Sequence, residues 1–339
     1  NLDIMYDYKP HIGPDVLRKV VRNMRDKIIE MGGEFRFQTC LTDLHIKNHH
    51  LVEIEVNGKE MIPCSNLVLA IGHSARDTFQ MLLEKNINMS AKPFALGVRI
   101  EHSQGMINES QYGMKSHAKL TPASYKLTYT TTSGRGVYSF CMCPGGYVVN
   151  ASSEDGLLAI NGMSNYNRES ENANSAIVVS VKPEDFGNNV LDGMAFQRKL
   201  ERLAFLEGNG NIPIQCYRDF KENKVTTKLG TVKPIFKGNY QFSNLNHILP
   251  RFVSESLMEG IEYFGTKIKG YNDGDSIMAG IESRTSSPVR IERDETLESN
   301  IKGIYPCGEG SGYAGGITTA AMDGMKVAEV IASRYQKCL

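Results

Sequence analysis

Five glycines fall within nine residues at Gly308-Glu309-Gly310-Ser311-Gly312-Tyr313-Ala314-Gly315-Gly316, and Ile317-Thr318-Thr319-Ala320-Ala321 follow at once. Between a strand and a helix, such a turn leaves backbone N–H groups uncovered at a helix N-terminus, where the macrodipole favours negative charge and no Cβ blocks a close approach. Glu309 adds a carboxylate able to accept two ribose-type hydroxyls. A plain turn closing an α/β crossover is the competing reading, and it gives Glu309 no task. Arg284, Thr285, Ser286, Ser287 and Arg290 could hold an anionic group or form a capped turn with surface arginines. His73, Arg76, Arg99 and His102 suit either substrate contacts or salt bridges between domains. Cys141 and Cys143 stand two apart before Pro144-Gly145-Gly146; a disulfide between them would close a strained ring, so packing thiols are expected over redox chemistry. His45, His49 and His50 lie on a predicted hairpin without carboxylate or thiolate partners at ligand spacing, and read as solvated turn histidines, with no metal expected.

The elements that must position these groups are α/β at both ends of the chain. Pro14 and Asp15 open a predicted helix with apolar Leu17, Val20, Val21, Met24, Ile28 and Met31 at helical spacing, stopped by Gly32-Gly33. A strand over 34–38, a hairpin of 41–47 against 51–56, and a primed turn at Asn57-Gly58 are expected next. Asn66 to Gly72 reads as an apolar strand covered on both faces, leading into a helix over 74–85. From Lys92 to about Asn150 the pattern is strand-rich (94–100, 125–131, 137–143, 147–150), as expected of an antiparallel sheet. Residues 161–174 read as an exposed polar loop, 176–181 as a strand, and 191–206 and 253–268 as helices. A short buried strand over 303–307 and a helix over 316–334 close the chain.

The 339 residues suffice for two domains with real cores. Lys plus Arg (38) balances Asp plus Glu (38), which disfavours bulk binding of nucleic acid. With 41% hydrophobic residues and a mean hydropathy of −0.31, no run approaches the roughly 20 apolar residues of a membrane span. The seven cysteines (40, 64, 141, 143, 216, 307, 338) are odd in number and lack a paired framework, so reduced thiols and a cytoplasmic location are expected. The chain opens on Asn1 without a signal-like segment, as if something had been cut away.

Six motifs resemble bacterial FAD-dependent dehydrogenases of unassigned substrate, NAD(P)/FAD-dependent oxidoreductases: Pro10-His11-Ile12-Gly13-x-Asp15-Val16-Leu17, Ala70-Ile71-Gly72-His73-Ser74-Ala75-Arg76-Asp77, Lys92-Pro93-Phe94-Ala95-x-Gly97-Val98-Arg99-Ile100-Glu101-His102, Cys141-Met142-Cys143-Pro144-Gly145-Gly146, Ser283-Arg284-Thr285-Ser286-Ser287-Pro288 and Cys307-Gly308-Glu309. The resemblance implies an α/β fold: an incomplete two-dinucleotide-binding, Rossmann-like FAD domain (1–91 and 281–339) with an inserted α+β antiparallel-sheet domain (92–280). It implies that Ala70, Gly72, Gly308, Glu309, Gly310, Gly315, Gly316, Ile317 and Thr318 hold FAD, with Glu309 on the ribitol. Arg284, Ser286, Ser287, Arg99 and His102 become candidates for a small-molecule substrate, and NAD(P)H a candidate electron donor. The family's N-terminal G-x-G-x-x-G turn has no counterpart here, so the chain resembles the C-terminal two-thirds of a member and is expected to hold FAD weakly by itself. The expected function is hydride transfer between substrate and flavin N5. The alternatives are a flavin-dependent RNA-modifying protein and a non-enzymatic binding module.

Overall fold

Proline near the start of α1 (Gly13–Glu30), Asp15 in its first turn and Lys27 in its last match the helix and its dipole as expected. A computed structural model describes residues 11–335. Asn1, Pro10 of the first motif and Cys338 lie outside the described residues. No residue of α1 is buried, and Val21, Met24 and Ile28 face solvent. The helix start is tied down by the Tyr166 N–H, which donates to Asp15 Oδ1 at 3.0 Å.

Next comes an antiparallel meander of β1 (Leu41–Lys47), β2 (His50–Val56) and β3 (Glu60–Pro63). Asn57 and Gly58 join its last two strands with φ of +55° and +67°, the primed geometry that these residues tolerate. Then β4 (Leu67–Leu69) leads into α2 (Arg76–Glu84), β5 (Met89–Ala91), β6 (Phe94–Ser103) and α3 (Gln104–Tyr112). The middle of the chain supplies β7 (Thr128–Thr130), β8 (Gly136–Cys143), β9 (Tyr147–Asn150), β10 (Ile160–Met163), β11 (Asn172–Val181), α4 (Pro183–Phe186), α5 (Asp192–Glu207), β12 (Ile212–Cys216) and α6 (Tyr217–Lys221). It continues with β13 (Phe236–Lys237), β14 (Tyr240–Phe242), α7 (Arg251–Lys267) and β15 (Ile277–Glu282). The last elements are β16 (Val289–Ile291), β17 (Ile304–Pro306) and α8 (Ile317–Tyr335).

A seven-stranded sheet, ordered β14-β12-β15-β6-β11-β8-β7, dominates the molecule. Its centre is the antiparallel pairing of β6 with β11, in register from Asn172↔Ser103 to Val181↔Phe94. Val253, Leu257, Ile261 and Phe264 of α7 and Leu200 and Ala204 of α5 share one core with Val98 and Ile100 of β6 and Ile177 and Val179 of β11. Alternating apolar strands and helices with one apolar face produce this packing.

A second core joins both ends of the chain: Leu44, Leu51, Leu69, Phe79 and Leu82 pack with Val289, Ile291 and Ile304. There β4 and β17 pair in parallel, Leu67 opposite Ile304 and Leu69 opposite Pro306. Three expectations need correction. Residues 34–38 form no strand; they have no ladder partner among the described residues. The 66–72 segment is not covered on both faces, since among the described residues β4 pairs with β17 alone and Val68 is 42% exposed. The 161–174 segment is not a solvent loop throughout, because β10 and the start of β11 claim its ends and bury Asn172 and Asn174.

Candidate functional site

The parallel strands β4 and β17 end side by side, and the two glycine-bearing turns leave from their carboxyl ends, the usual ligand side of a parallel pair. Cys307 N–H donates to the Leu69 carbonyl at 3.1 Å, and Ser311 Oγ donates to the same carbonyl at 3.3 Å. Gly310 then runs against Gly72 so closely that a Cβ on Gly310 would collide with the Gly72 carbonyl. Gly72 itself has φ +70°, and nothing stands within 4 Å of a Cβ position at Gly72 or Gly315. The turns touch each other and leave open space beside them.

The turn is clamped from several elements. Ser287 Oγ donates to the Gly310 carbonyl at 3.1 Å. Asp323 of α8 accepts from the Gly308 N–H at 2.8 Å and from both terminal nitrogens of Arg293 at 3.0 and 2.7 Å. Against the burial penalty, those hydrogen bonds hold the Asp323 carboxyl below its ordinary value. The Arg293 guanidinium also lies 3.7 Å from the Tyr313 ring centroid, a cation–π contact. Glu309 is left half-buried, and burial raises its carboxyl while the positive charge of Lys92 counters the rise. Gly315, Gly316, Ile317 and Thr318 are exposed at the start of α8, and Ala70 is exposed at the end of β4.

Behind the turns lies a buried ionic cluster. Glu201 of α5, shielded completely from solvent, accepts from Arg284 Nε and Nη2 at 3.0 and 2.9 Å and from Arg76 Nη2 at 2.8 Å. Burial alone would raise its carboxyl; the hydrogen bonds from Arg284 and Arg76 overcome that and hold it at about 2. Arg284 Nη1 further donates to Ser74 Oγ and Ser153 Oγ. His73 Nε2 donates to the Ser286 carbonyl at 3.0 Å, which places its proton on Nε2. Burial, then Arg284 and Arg76, lower the imidazole to about 4, so it is neutral near pH 7. The structure therefore brings Arg284, Ser286 and Ser287 beside the glycine turns, where they position the chain around Gly72 and Gly310.

Arg99 and His102 sit elsewhere, on β6 and fully buried. Arg99 donates all five N–H groups: to both Glu282 oxygens at 2.9 and 3.1 Å, to Asn174 Oδ1 at 2.8 Å, to Asn161 Oδ1 at 2.9 Å and to the Cys141 carbonyl at 3.1 Å. None of those partners belongs to the glycine turn. His102 Nε2 donates to the Tyr271 carbonyl at 2.7 Å, and burial lowers it to about 4. Cys143 is buried, as a packing thiol would be, whereas Cys141 is exposed. His49 takes φ +60° at the hairpin turn, and no group of three metal-ligating side chains occurs among the described residues. A surface cleft of about 610 Å³ between β1 and the end of α2 shares no residue with the glycine turns. Sequence reasoning missed Lys92, Arg293 and Asp323. Lys92 was visible inside a quoted motif, whereas the Arg293–Asp323 pair joins residues 30 apart and follows only from the fold.

The family described as FAD-dependent protein, C-terminal domain-like matches residues 93–285. The chain belongs to this family. The matched segment of this FAD-dependent family contains all seven strands of the large sheet, while the glycine turn after β17 lies beyond it. An uncharacterized protein of Clostridium beijerinckii (strain ATCC 51743 / NCIMB 8052) is 53% identical to this chain, over 98% of it and 63% of the relative's own length. This member of the family thus spans less than two-thirds of that relative. No helix among the described residues is long and apolar enough to cross a membrane.

Proposed function

We propose that the carboxyl ends of β4 and β17 hold the flavin end of FAD in an FAD-dependent oxidoreductase, a dehydrogenase acting on a small molecule. The observation carrying this is the meeting of Gly72 and Gly310 at the ends of two parallel strands, with half-buried Glu309 between that contact and an exposed helix start. The residues present fit that part of the group. Gly72 and Gly315 leave room where a Cβ would stand, the Glu309 carboxylate can accept the ribitol hydroxyls, and the free N–H groups at the start of α8 can meet the flavin's pyrimidine oxygens. Bound flavin supplies two-electron hydride chemistry at N5, and the protein supplies binding and orientation. In this reading Lys92 tunes the charge on Glu309, and His73, Arg284 and Ser287 keep the two turns in contact. NAD(P)H, implied by the resemblance, has no residue assigned to it among the described residues.

The test is flavin binding. The chain has no tryptophan, so quenching of flavin fluorescence is the convenient signal. A charge-assisted hydrogen bond to a hydroxyl contributes roughly 1.5–3 kcal/mol, or about one to two decades in Kd. Glu309→Ala is expected to weaken FAD binding by that amount, and Cys143→Ser to leave it nearly unchanged. An unchanged Kd in Glu309→Ala would refute the assignment.

A further inference from the structure

Cys141 and Cys143 take no part in the flavin reading, and the structure gives them unlike surroundings. Along β8 the register with β11 slips by one residue between Phe140↔Ala176 and Cys143↔Asn174. The extra residue makes a bulge, at which Cys141 takes φ +44°, in the left-handed region that non-glycine residues rarely enter. Bulges re-aim side chains. Here Cys141 is exposed and Cys143 buried, with Cys143 Sγ donating to the Cys141 carbonyl at 3.3 Å. Arg99, fixed by Glu282 and Asn174, reaches both residues, its Nη1 lying 3.1 Å from the Cys141 carbonyl and 3.9 Å from Cys143 Sγ.

An extended strand holds the Cα atoms of residues i and i+2 about 6.6–7.2 Å apart. That is at the outer edge of what a disulfide spans, so closing the pair requires a local backbone shift, for which the unpaired residue of the bulge leaves room. The groups facing the pair are Arg99 from β6, Glu282 from β15 and Tyr125 from the segment before β7. The Cys143 thiol, and then Arg99, favour the Cys141 thiolate against burial, while the Cys143 thiol is pushed up. Cys141 is the exposed residue of the pair and its thiol is disposed to ionise; buried Cys143 stands behind it.

We propose that Cys141 and Cys143 form a thiol–disulfide exchange site for small-molecule disulfides, with Cys141 attacking and Cys143 resolving. The Cys141 thiolate forms a bond to one sulfur of the external disulfide, whose S–S bond breaks and releases one thiolate. Cys143 then loses its proton to that leaving thiolate and attacks the Cys141 sulfur. The mixed disulfide breaks and the second thiolate leaves, taking up the proton that Cys141 gave to solvent. One external disulfide is reduced to two thiols, and the Cys141–Cys143 pair is oxidised. The exchange needs no flavin, so its test stands apart from the flavin assignment.

The reduced chain is mixed with oxidised glutathione, quenched with acid and mapped by peptide mass. The wild type is expected to yield an internal Cys141–Cys143 disulfide, Cys143→Ser to stop at a Cys141–glutathione adduct, and Cys141→Ser to leave Cys143 unmodified. Within the wild type, iodoacetamide at pH 6.5 is expected to alkylate Cys141 roughly tenfold faster than the exposed Cys40. That comparison needs no variant to fold. Equal alkylation of Cys141 and Cys40 overturns the proposal, as does a wild type that accumulates the mixed disulfide without resolving it.

Discussion

The centre of the large sheet and the β4–β17 pair solve the same problem in opposite ways. Strands β6 and β11 each bury nine of their ten residues, whereas β4 buries one of three, α8 buries only Asp323 and Val327, and α1 buries none. The sheet is closed by its own helices; the other region keeps Ile317 and Met325 exposed at 74% and 64%. The glycine turns belong to the open region. A site must leave surface for its ligand, so its own packing cannot stabilise it, and the buried cluster around Glu201 instead ties it to the closed one.

The largest expected effect falls on that tie. Glu201→Ala takes the counter-charge from half-buried Arg284 and leaves buried Arg76 with Glu154 alone, and a loss of about 3 kcal/mol, the low end for a broken buried pair, is expected in urea unfolding. A loss below about 1 kcal/mol would show that the two regions do not depend on the cluster. Ile177→Ala, in the closed core, is expected to cost about 2–5 kcal/mol, while Val68→Ala on exposed β4 stays within about 0.5 kcal/mol. Similar costs at both positions would erase the contrast.

Acidity sharpens it further. Burial raises the Glu101 carboxyl on β6 to about 8, despite the Ile235 N–H it accepts from. Its stabilising contribution is complete below the ordinary 4.5 and is lost as pH rises through about 8. Glu201 has the opposite sign: its contribution is present above 4.5 and lost as pH falls toward about 2. Melting temperature against pH should therefore fall less steeply between pH 5 and 8 in Glu101→Gln than in the wild type; parallel curves would contradict the shift. Met325→Ser on exposed α8 should be the mildest change, within about 0.5 kcal/mol.

Much of this organisation was readable from residue order. Periodicity located α1, α2, α5, α7 and α8, and Asn57-Gly58 marked its turn, because local backbone preference decides those features. Residues 34–38 alternate like a strand yet join no ladder among the described residues, since a strand exists only by virtue of its neighbour. The polar stretch 161–174 hid β10 and the start of β11 because buried Asn172 donates to the Lys233 carbonyl and buried Asn174 accepts from Arg99 through Oδ1, partners distant in sequence. At the candidate site, Gly308 to Thr318 announced themselves by composition. For Arg99 residue order left substrate contact and salt bridge both open, and the structure shows it ion-paired to Glu282 with every donor engaged; the exposure of Cys141 at a bulge was not legible at all, because a side chain's direction depends on strand pairing, which residue spacing does not carry.

The most direct test of the central claim is amide hydrogen exchange on this chain with and without saturating FAD. Protection confined to 70–76 and 308–322, with the β6–β11 sheet unchanged, is the predicted result. Protection centred on 136–163, with the glycine turns exchanging as freely as before, would contradict it.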